Sequence, residues 1–211
     1  MEPDVVTFNT LIQGLLHGGK PEAAQQMLSV MRKRNIEPNE RTYPTLVEDL
    51  MSREKQEEAL TLLNQVEQSG HTSAVIYAIL VQGFLNPPLG PDLKHPIPAN
   101  LSKAHELMER MQRRAIPPTS STLLALIEAH FRSGGRTGIE MAMKWFEESI
   151  AHSKAQGKSL FPQTLYVTLK HLDEMGEAGH IERVLSVMAE RGFVPQGALA
   201  RLVAGVKNRP Y

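Results

Sequence analysis

The feature that most constrains this sequence is a pair of apolar stripes that recurs along the chain. Apolar residues near the N-terminus follow the i, i+3, i+4, i+7 spacing of one face of an α-helix; they are Phe8, Leu11, Ile12 and Leu15. A second stripe follows, and both return later, with Tyr43 lying 35 residues after Phe8. Two helices in a fixed period of about 35 residues predict a helical solenoid, because a single hairpin cannot bury its apolar face alone.

The repeats predict an all-α solenoid of about five helix–turn–helix hairpins followed by a C-terminal capping helix. The predicted array is a single domain with repeats at residues 5–39, 40–74, 75–119, 120–163 and 164–196, and a cap at 197–211. Residues 1–4 resemble the end of another repeat, so we expect the chain to be part of a longer array.

Two of the later repeats depart from the regular pattern. An insertion at residues 86–100 interrupts the third repeat, and its five prolines predict a loop because proline lacks the backbone N–H that a helix needs. In the fourth repeat we expect Gly134, Gly135 and Gly138 to lie between the two helices. The second helix of that repeat is predicted either to be long or to end in the linker at 152–162.

Composition excludes several classes of function. The chain has 23 basic and 23 acidic side chains, and this balance argues against nucleic acid binding over the whole surface, although a local basic face remains open. It contains no cysteine, which excludes disulfides and thiolate metal sites. No apolar run approaches the roughly 20 residues that cross a bilayer, so no membrane span is predicted.

The stretch Gly14–Lys20 has the G-x-x-x-x-G-K spacing of a phosphate-binding loop. Such a loop follows a strand and ends in a hydroxyl residue that binds Mg²⁺. Here an amphipathic helical pattern precedes it, and Pro21 stands where the hydroxyl belongs. We therefore interpret it as the turn between two helices.

No other pattern in the sequence indicates catalysis or metal binding. The eight histidines never take the spacing of a zinc motif. Glu57–Glu58 and Glu147–Glu148 are adjacent pairs, and neighbouring helix positions point in different directions. The sequence predicts no enzyme, no cofactor and no metal site.

Residues 5–39, VVTFNTLIQGLLHGGKPEAAQQMLSVMRKRNIEPN, resemble the repeat of the pentatricopeptide repeat (PPR) family almost from end to end. The second repeat resembles it well and the later repeats loosely, as in a P-type array with degenerate repeats. The tetratricopeptide family fits less well, because the first helix lacks its Trp and Gly–Tyr pattern. The resemblance implies that the hairpins form a right-handed α-solenoid. It also implies a mitochondrial or chloroplast protein, with mitochondria preferred, that holds single-stranded RNA along the concave face formed by its first helices.

The resemblance also implies which residues contact RNA. In the first repeat, Val6 is the apolar wedge between bases, and Asn9 with Asn39 forms the pair that reads a pyrimidine. The corresponding sets in later repeats are Arg41, Pro44 and Ala74; Val75, Ala78 and Thr119; Ser121, Leu124 and Gln163; and Thr164, Val167 and Gln196. Most of their first-helix readers lack a side-chain donor or acceptor, so we expect little base discrimination beyond the first repeat.

Basic residues cluster at the ends of two predicted helices: Arg32, Lys33, Arg34, Arg113 and Arg114. They are either favourable partners of the helix dipole or contacts to RNA phosphates. Two functions remain open. One is an organellar RNA-binding protein acting in RNA processing, stability or translation. The other is an interaction scaffold, such as a mitochondrial ribosome component that binds ribosomal RNA and ribosomal or other organellar proteins by shape and charge.

Overall fold

The computed structural model describes residues 3–86 and 98–208, and the regular elements in these ranges are α-helices. The helices pair in chain order as hairpins, first with second through ninth with tenth, and an eleventh helix follows. The predicted all-α class of helical hairpins is thereby confirmed. The helices are α1 (Val5–His17), α2 (Pro21–Lys33), α3 (Thr42–Ser52), α4 (Gln56–Ser69), α5 (Ala74–Leu85), α6 (Pro98–Arg113), α7 (Ser120–Ser133), α8 (Gly135–Ala155), α9 (Pro162–Met175), α10 (Ala178–Glu190) and α11 (Gly197–Lys207).

The described residues form two compact units. The first contains α1 to α6, and within it α3 packs against both α1 and α5, so the first helices of three hairpins lie side by side. The second contains α7 to α11, and within it α9 packs against α7 and α11. In both units the first helices of successive hairpins therefore pack against each other.

Equivalent aromatic residues anchor the first helices of the first unit, and each is at most 2% exposed: Phe8, Tyr43 and Tyr77. Leu11 departs from the predicted core, since its side chain is 49% exposed. Its equivalents Leu46 and Leu80 are buried. Helices α3 and α5 each pack against a preceding hairpin, whereas none precedes α1 among the described residues.

Helices α2, α6 and α10 end in the same way. Each is followed by a residue with positive φ, at Asn35, Ala115 and Gly192. The N–H of the next, apolar residue then donates to a carbonyl in the last turn: Ile36 to Met31 at 2.9 Å, Ile116 to Met111 at 3.0 Å and Phe193 to Met188 at 2.9 Å. This left-handed closure satisfies otherwise unpaired carbonyls and turns the chain towards the next hairpin.

The C-terminal boundary that was predicted for the loop at residues 86–100 is wrong. Helix α6 begins at Pro98, so residues 98–100 are helical. A proline is tolerated at the first helical position because the N–H that it lacks would have no acceptor within the helix. Asn86 caps α5, and residues 87–97 of the predicted loop lie outside the described residues.

Helix α8 takes the longer of its two predicted forms, with 21 residues. Gly134 precedes it, Gly135 begins it, and Gly138 lies within it rather than between the helices as predicted. A Cβ atom on Gly138 would lie 2.6 Å from the carbonyl oxygen of His130. The glycine is therefore required by the close approach of α7 and α8, which a sequence pattern does not distinguish from a turn.

Only the last three residues of the stretch that resembles a phosphate-binding loop, residues 18–20, form the predicted turn, because residues 14–17 belong to α1. In this turn the N–H of Lys20 donates to the carbonyl of Leu15 at 2.8 Å. Across the described part of the chain, no helix has the length and apolar character that crossing a membrane requires. The same residues contain no group of three metal-binding side chains.

Candidate nucleic-acid interface

The structure brings together the two predicted reader side chains, which are 30 residues apart in the chain. Asn9 lies on α1 and Asn39 lies three residues before α3. Nδ2 of Asn9 donates to Oδ1 of Asn39 at 3.1 Å. Both side chains are partly exposed, so the pair is accessible at the junction of the first two hairpins.

Asn39 is held in place by the start of the next helix. Its Oδ1 also accepts from the backbone N–H of Arg41 at 3.0 Å and of Thr42 at 3.3 Å. An asparagine that bonds to the backbone two and three residues ahead forms an Asx-type turn and fixes its own amide. The oxygen of Asn39 therefore faces the protein.

Thr42 is a further member of this site, and the sequence analysis missed it. Its hydroxyl donates to Oδ1 of Asn9 at 2.6 Å and accepts from the N–H of Asn39 at 3.0 Å. Thr42 as a whole is 1% exposed. Because a side-chain amide has an acceptor on one side and donors on the other, this bond sets the orientation of Asn9.

A sequence signal for Thr42 exists in the 35-residue register. Thr7 occupies the equivalent place in the first repeat. There its N–H and its hydroxyl donate to Oδ1 of Asp4 at 2.9 and 2.8 Å, which caps α1. The same local turn thus begins α1 and α3, and only at α3 does its hydroxyl reach a reader side chain.

The amide oxygens of Asn9 and Asn39 are both occupied, so the pair offers N–H groups to a ligand. Asn9 has a second Nδ2 hydrogen beyond the one donated to Asn39. Within the described ranges, no residue accepts from Nδ2 of Asn39. The site therefore presents two side-chain NH₂ groups, with one hydrogen of Asn9 and two of Asn39 uncommitted.

The predicted wedge, Val6, lies on α1 one turn before Asn9 and is 63% exposed. Val75 on α5 is another exposed apolar side chain, at 51%. An exposed valine offers apolar surface whose burial against a partner is favourable. Both belong to first helices of the first unit, the helices to which the readers were assigned.

The later first helices offer no comparable readers. Pro44, Ala78 and Val167 are buried, and Leu124 is partly buried. The second reader that was predicted for the second repeat, Ala74, is the first residue of α5. The residue equivalent to Asn39 is instead Ser73, which lies four residues before the buried Tyr77, as Asn39 lies four residues before Tyr43.

The predicted phosphate contacts have different surroundings. Arg32, Lys33 and Arg34 are exposed at the end of α2 and have no acidic partner among the described residues. Arg113 is exposed, and its Nε donates to the carbonyl of Glu109 at 3.4 Å. The remaining residue of the set, Arg114, is committed to an ion pair.

Arg114 belongs to a charged network that joins α4, α5 and α6. Glu67 lies 2.7 Å from Arg110 and 3.0 Å from Arg114, and it accepts from the hydroxyl of Tyr77. Burial acts to raise the pKa of Glu67, but the hydrogen bonds from Arg110 and Tyr77 together with the charges of Arg110 and Arg114 outweigh it and lower that pKa. Burial and the adjacent carboxylate raise the pKa of Tyr77 to about 12. The network therefore links the three helices, and Arg114 contributes to it through its ion pair with Glu67.

The sequence of this chain is similar to those of one group of repeat proteins. Residues 3–52 match the model of the PPR repeat family. The chain is 24% identical over 212 residues to a chloroplastic pentatricopeptide repeat-containing protein of Arabidopsis thaliana, an alignment that covers 98% of this chain and 25% of that protein. It is 34% identical over 87 residues to another Arabidopsis thaliana protein of this kind, named as mitochondrial, covering 41% of this chain and 14% of that one.

Solved structures of the pentatricopeptide repeat protein PPR10 share the fold. PPR10 from maize matches with a TM-score of 0.60 and 20% identity, covering 97% of this chain and 27% of PPR10. PPR10 in complex with an 18-nt psaJ RNA element matches with a TM-score of 0.58 and 19% identity, covering 97% and 28%. The chain spans between about a seventh and about a quarter of the length of these relatives.

Proposed function

The chain belongs to the pentatricopeptide repeat family, and on that premise we propose that it binds single-stranded RNA, with Asn9 and Asn39 contacting one base. The observation that carries this proposal is the preorganised amide pair, whose oxygens are held by the protein and whose remaining N–H hydrogens have no acceptor among the described residues. Preorganised donors bind well because little side-chain freedom is lost when the ligand arrives.

The pair of donors favours a pyrimidine. Two neighbouring N–H groups match a base edge with two neighbouring acceptors, and cytosine presents its N3 and O2 in this way. Uracil presents two acceptors separated by a donor, and adenine presents one acceptor beside an amino group. We therefore expect cytosine to bind best, uracil next and adenine least, with Val6 packing against the face of the base.

Phosphate contacts supply the remainder of the proposed affinity. Arg32, Lys33 and Arg34 form an exposed basic group without acidic partners among the described residues. For single-stranded RNA, each phosphate that such a group neutralises steepens the fall of log K with log salt by about 0.7. Arg114 is a weaker candidate because Glu67 already neutralises it.

Fluorescence anisotropy with ten-nucleotide oligo(C), oligo(U) and oligo(A) tests the proposal, since homopolymers make the binding register irrelevant. We expect oligo(C) to bind best and Asn9→Ala to lower the preference for oligo(C) over oligo(A) by about tenfold, a typical value for a lost bidentate contact. Gln26→Ala, an exposed substitution on α2, is the matched control and should leave the preference unchanged. Equal binding of the three oligonucleotides by the unsubstituted chain would contradict the base-reading role.

A specific observation favours a second function. The first-helix positions of the four later hairpins hold Pro44, Ala78, Leu124 and Val167, which donate and accept no side-chain hydrogen bond. An interaction scaffold, such as a mitochondrial ribosome component holding ribosomal RNA and proteins by shape and charge, needs no readers there. It predicts weak, strongly salt-dependent binding of all three oligonucleotides without preference.

We place the protein in an organelle, in mitochondria with chloroplasts as the alternative, where it acts in RNA processing, stability or translation. The relatives named as mitochondrial and as chloroplastic support an organelle in general. Imaging of a fluorescent fusion of the complete natural protein tests this placement, and a signal confined to the cytosol would contradict it.

A further inference from the structure

We propose that Thr42, a residue of the second hairpin, sets the base preference of the Asn9–Asn39 pair by holding the amide of Asn9 in one orientation. This inference rests on the proposed function, because it assigns a positioning residue to the same site. It also means that the reader of the first repeat is completed by the helix that follows it.

The hydroxyl of Thr42 has one proton and two candidate acceptors. Oδ1 of Asn9 lies 2.6 Å away and Oδ1 of Asn39 lies 3.2 Å away, so the proton goes to Asn9. A lone pair of the same oxygen accepts from the N–H of Asn39 at 3.0 Å. Both roles of the hydroxyl are thereby fixed, and at 1% exposure Thr42 is shielded from competing water.

This bond decides what Asn9 offers to a base. The last torsion of asparagine is broad and roughly two-fold, so the amide does not choose an orientation by itself. With its oxygen held by Thr42, Asn9 directs its Nδ2 towards Asn39 and outwards. Without that bond, the partly exposed amide keeps only the longer contact to Asn39, at 3.1 Å, and its oxygen becomes free to accept from an amino group such as that of adenine.

The chain contains a matched control for this role. Thr7 begins the equivalent turn at α1, and its hydroxyl donates to Oδ1 of Asp4 at 2.8 Å. Thr7→Val therefore removes the same kind of capping bond without touching the reader pair. Thr42→Val removes the hydroxyl while keeping the branched shape, and Thr42→Ser keeps the hydroxyl.

The binding experiment measures the ratio of affinities for oligo(C) and oligo(A) in the complete 211-residue chain. Thr42→Val is expected to lower this ratio by about 3- to 10-fold, the value of one hydrogen bond, with Thr42→Ser restoring it and Thr7→Val leaving it unchanged. In an Asn9→Ala background, Thr42→Val should lower the ratio no further, since it acts through Asn9. An unchanged ratio in Thr42→Val would overturn the inference while the proposed function stands.

A measurement without RNA separates the two proposals. Of the two side-chain Nδ2 protons of Asn9, identified by their loss in Asn9→Ala, the one donated to Asn39 should exchange with solvent more slowly than the other in the unsubstituted chain. This difference should shrink in Thr42→Val. Equal exchange of the two protons in the unsubstituted chain would overturn the inference even if Thr42→Val did not fold. Failure of the unsubstituted chain to bind any oligonucleotide would overturn the proposed function, and the base-setting role of Thr42 with it.

Discussion

At the scale of single residues, Asn39 performs two tasks with one oxygen atom. Its Oδ1 accepts from the N–H groups of Arg41 and Thr42, and these bonds stabilise the turn that begins α3. The same oxygen accepts from Nδ2 of Asn9, and this bond orients the reader pair. The stability of the second hairpin and the proposed base contact of the first are therefore coupled at Asn39.

Substitutions of Asn39 should separate these tasks. Asn39→Ala removes the acceptor, and we expect the free energy of unfolding to fall by about 1 kcal/mol, as for the loss of a helix cap. Asn39→Asp keeps an oxygen in the same place and should stay within about 0.5 kcal/mol of the unsubstituted chain. Urea denaturation followed by circular dichroism measures both, and equal losses in the two variants would show that the turn does not depend on this oxygen.

Ala115 carries backbone strain that its equivalents avoid. It has φ of 54° after α6, where the corresponding residues are Asn35 and Gly192. Glycine tolerates this region and asparagine is enriched there, but alanine is disfavoured by its Cβ. We expect Ala115→Gly to raise the free energy of unfolding by about 0.5–1 kcal/mol. The control, Ala151→Gly at an exposed position within α8, should lower it by about 1 kcal/mol, and a loss in both variants would contradict the assignment of strain.

At the scale of helices, the close approach of α7 and α8 makes the strongest demand on a single position. The backbone of Gly138 on α8 faces the carbonyl oxygen of His130 on α7, and this oxygen cannot move without disturbing its own helix. The fourth hairpin is thus held by backbone proximity in addition to apolar side chains such as Phe131 and Phe146.

Two glycine substitutions test this contact. Gly138→Ala places a Cβ 2.6 Å from the His130 oxygen, and we expect a loss of about 1–3 kcal/mol of stability from overpacking. Gly179→Ala on α10 meets nothing within 4 Å and should gain about 0.5–1 kcal/mol, because alanine is the better helix former. Thermal unfolding of the two variants measures both effects, and a gain in Gly138→Ala would mean that α8 can move away from α7 at little cost.

The order and type of the helices could be predicted from the sequence because the evidence for them is local. The stripes that begin at Phe8 and Tyr43 report which face of each helix is apolar, and the period reports that hairpins follow one another. The exposure of Leu11 and the place of Gly138 depend on what lies opposite, and a one-dimensional pattern does not contain that information.

The candidate site was predictable only in part for the same reason. Asn9 and Asn39 were assigned through the family resemblance, and the structure places them in contact, although their role in binding stays a prediction. Thr42 was missed because its hydroxyl acts across two hairpins. Arg114 stays a predicted phosphate contact, but its ion pair with Glu67 was missed, because Glu67 lies 47 residues earlier and shares no periodic relation with it.

At the scale of the whole molecule, the Glu67 network and the sole tryptophan lie in different units. The first unit contains a Glu67 side chain that is only 9% exposed and two arginines that neutralise it. The sole tryptophan, Trp145, lies on α8 in the second unit. Tryptophan emission therefore reports the second unit, while far-ultraviolet circular dichroism reports the helices of both.

This network should make the stability of the first unit depend on pH at both extremes. The lowered pKa of Glu67 stabilises the fold above its unfolded value near 4.5, and this contribution is lost as pH falls through the folded value. The raised pKa of Tyr77 stabilises the fold below its unfolded value of 10.0, and that contribution is lost as pH rises towards about 12. The hydrogen bond between these two side chains contributes to both pH dependences, together with Arg110 and Arg114 at the acid end and with the burial of Tyr77 at the alkaline end.

Glu67→Gln should remove the acid dependence of stability, and Tyr77→Phe should remove the alkaline dependence. At pH 7 we expect Glu67→Gln to lower the free energy of unfolding by about 2 kcal/mol, because Arg110 and Arg114 lose their counter-charge. The deficit should shrink as pH falls, since the carboxylate of the unsubstituted chain is then protonated as well. Tyr77→Phe should keep the acid dependence and abolish the alkaline one. Circular dichroism should detect these changes in stability. If tryptophan emission shifts equally, the two units unfold together. A loss of stability in Glu67→Gln that does not vary with pH would show that its cause is packing rather than charge.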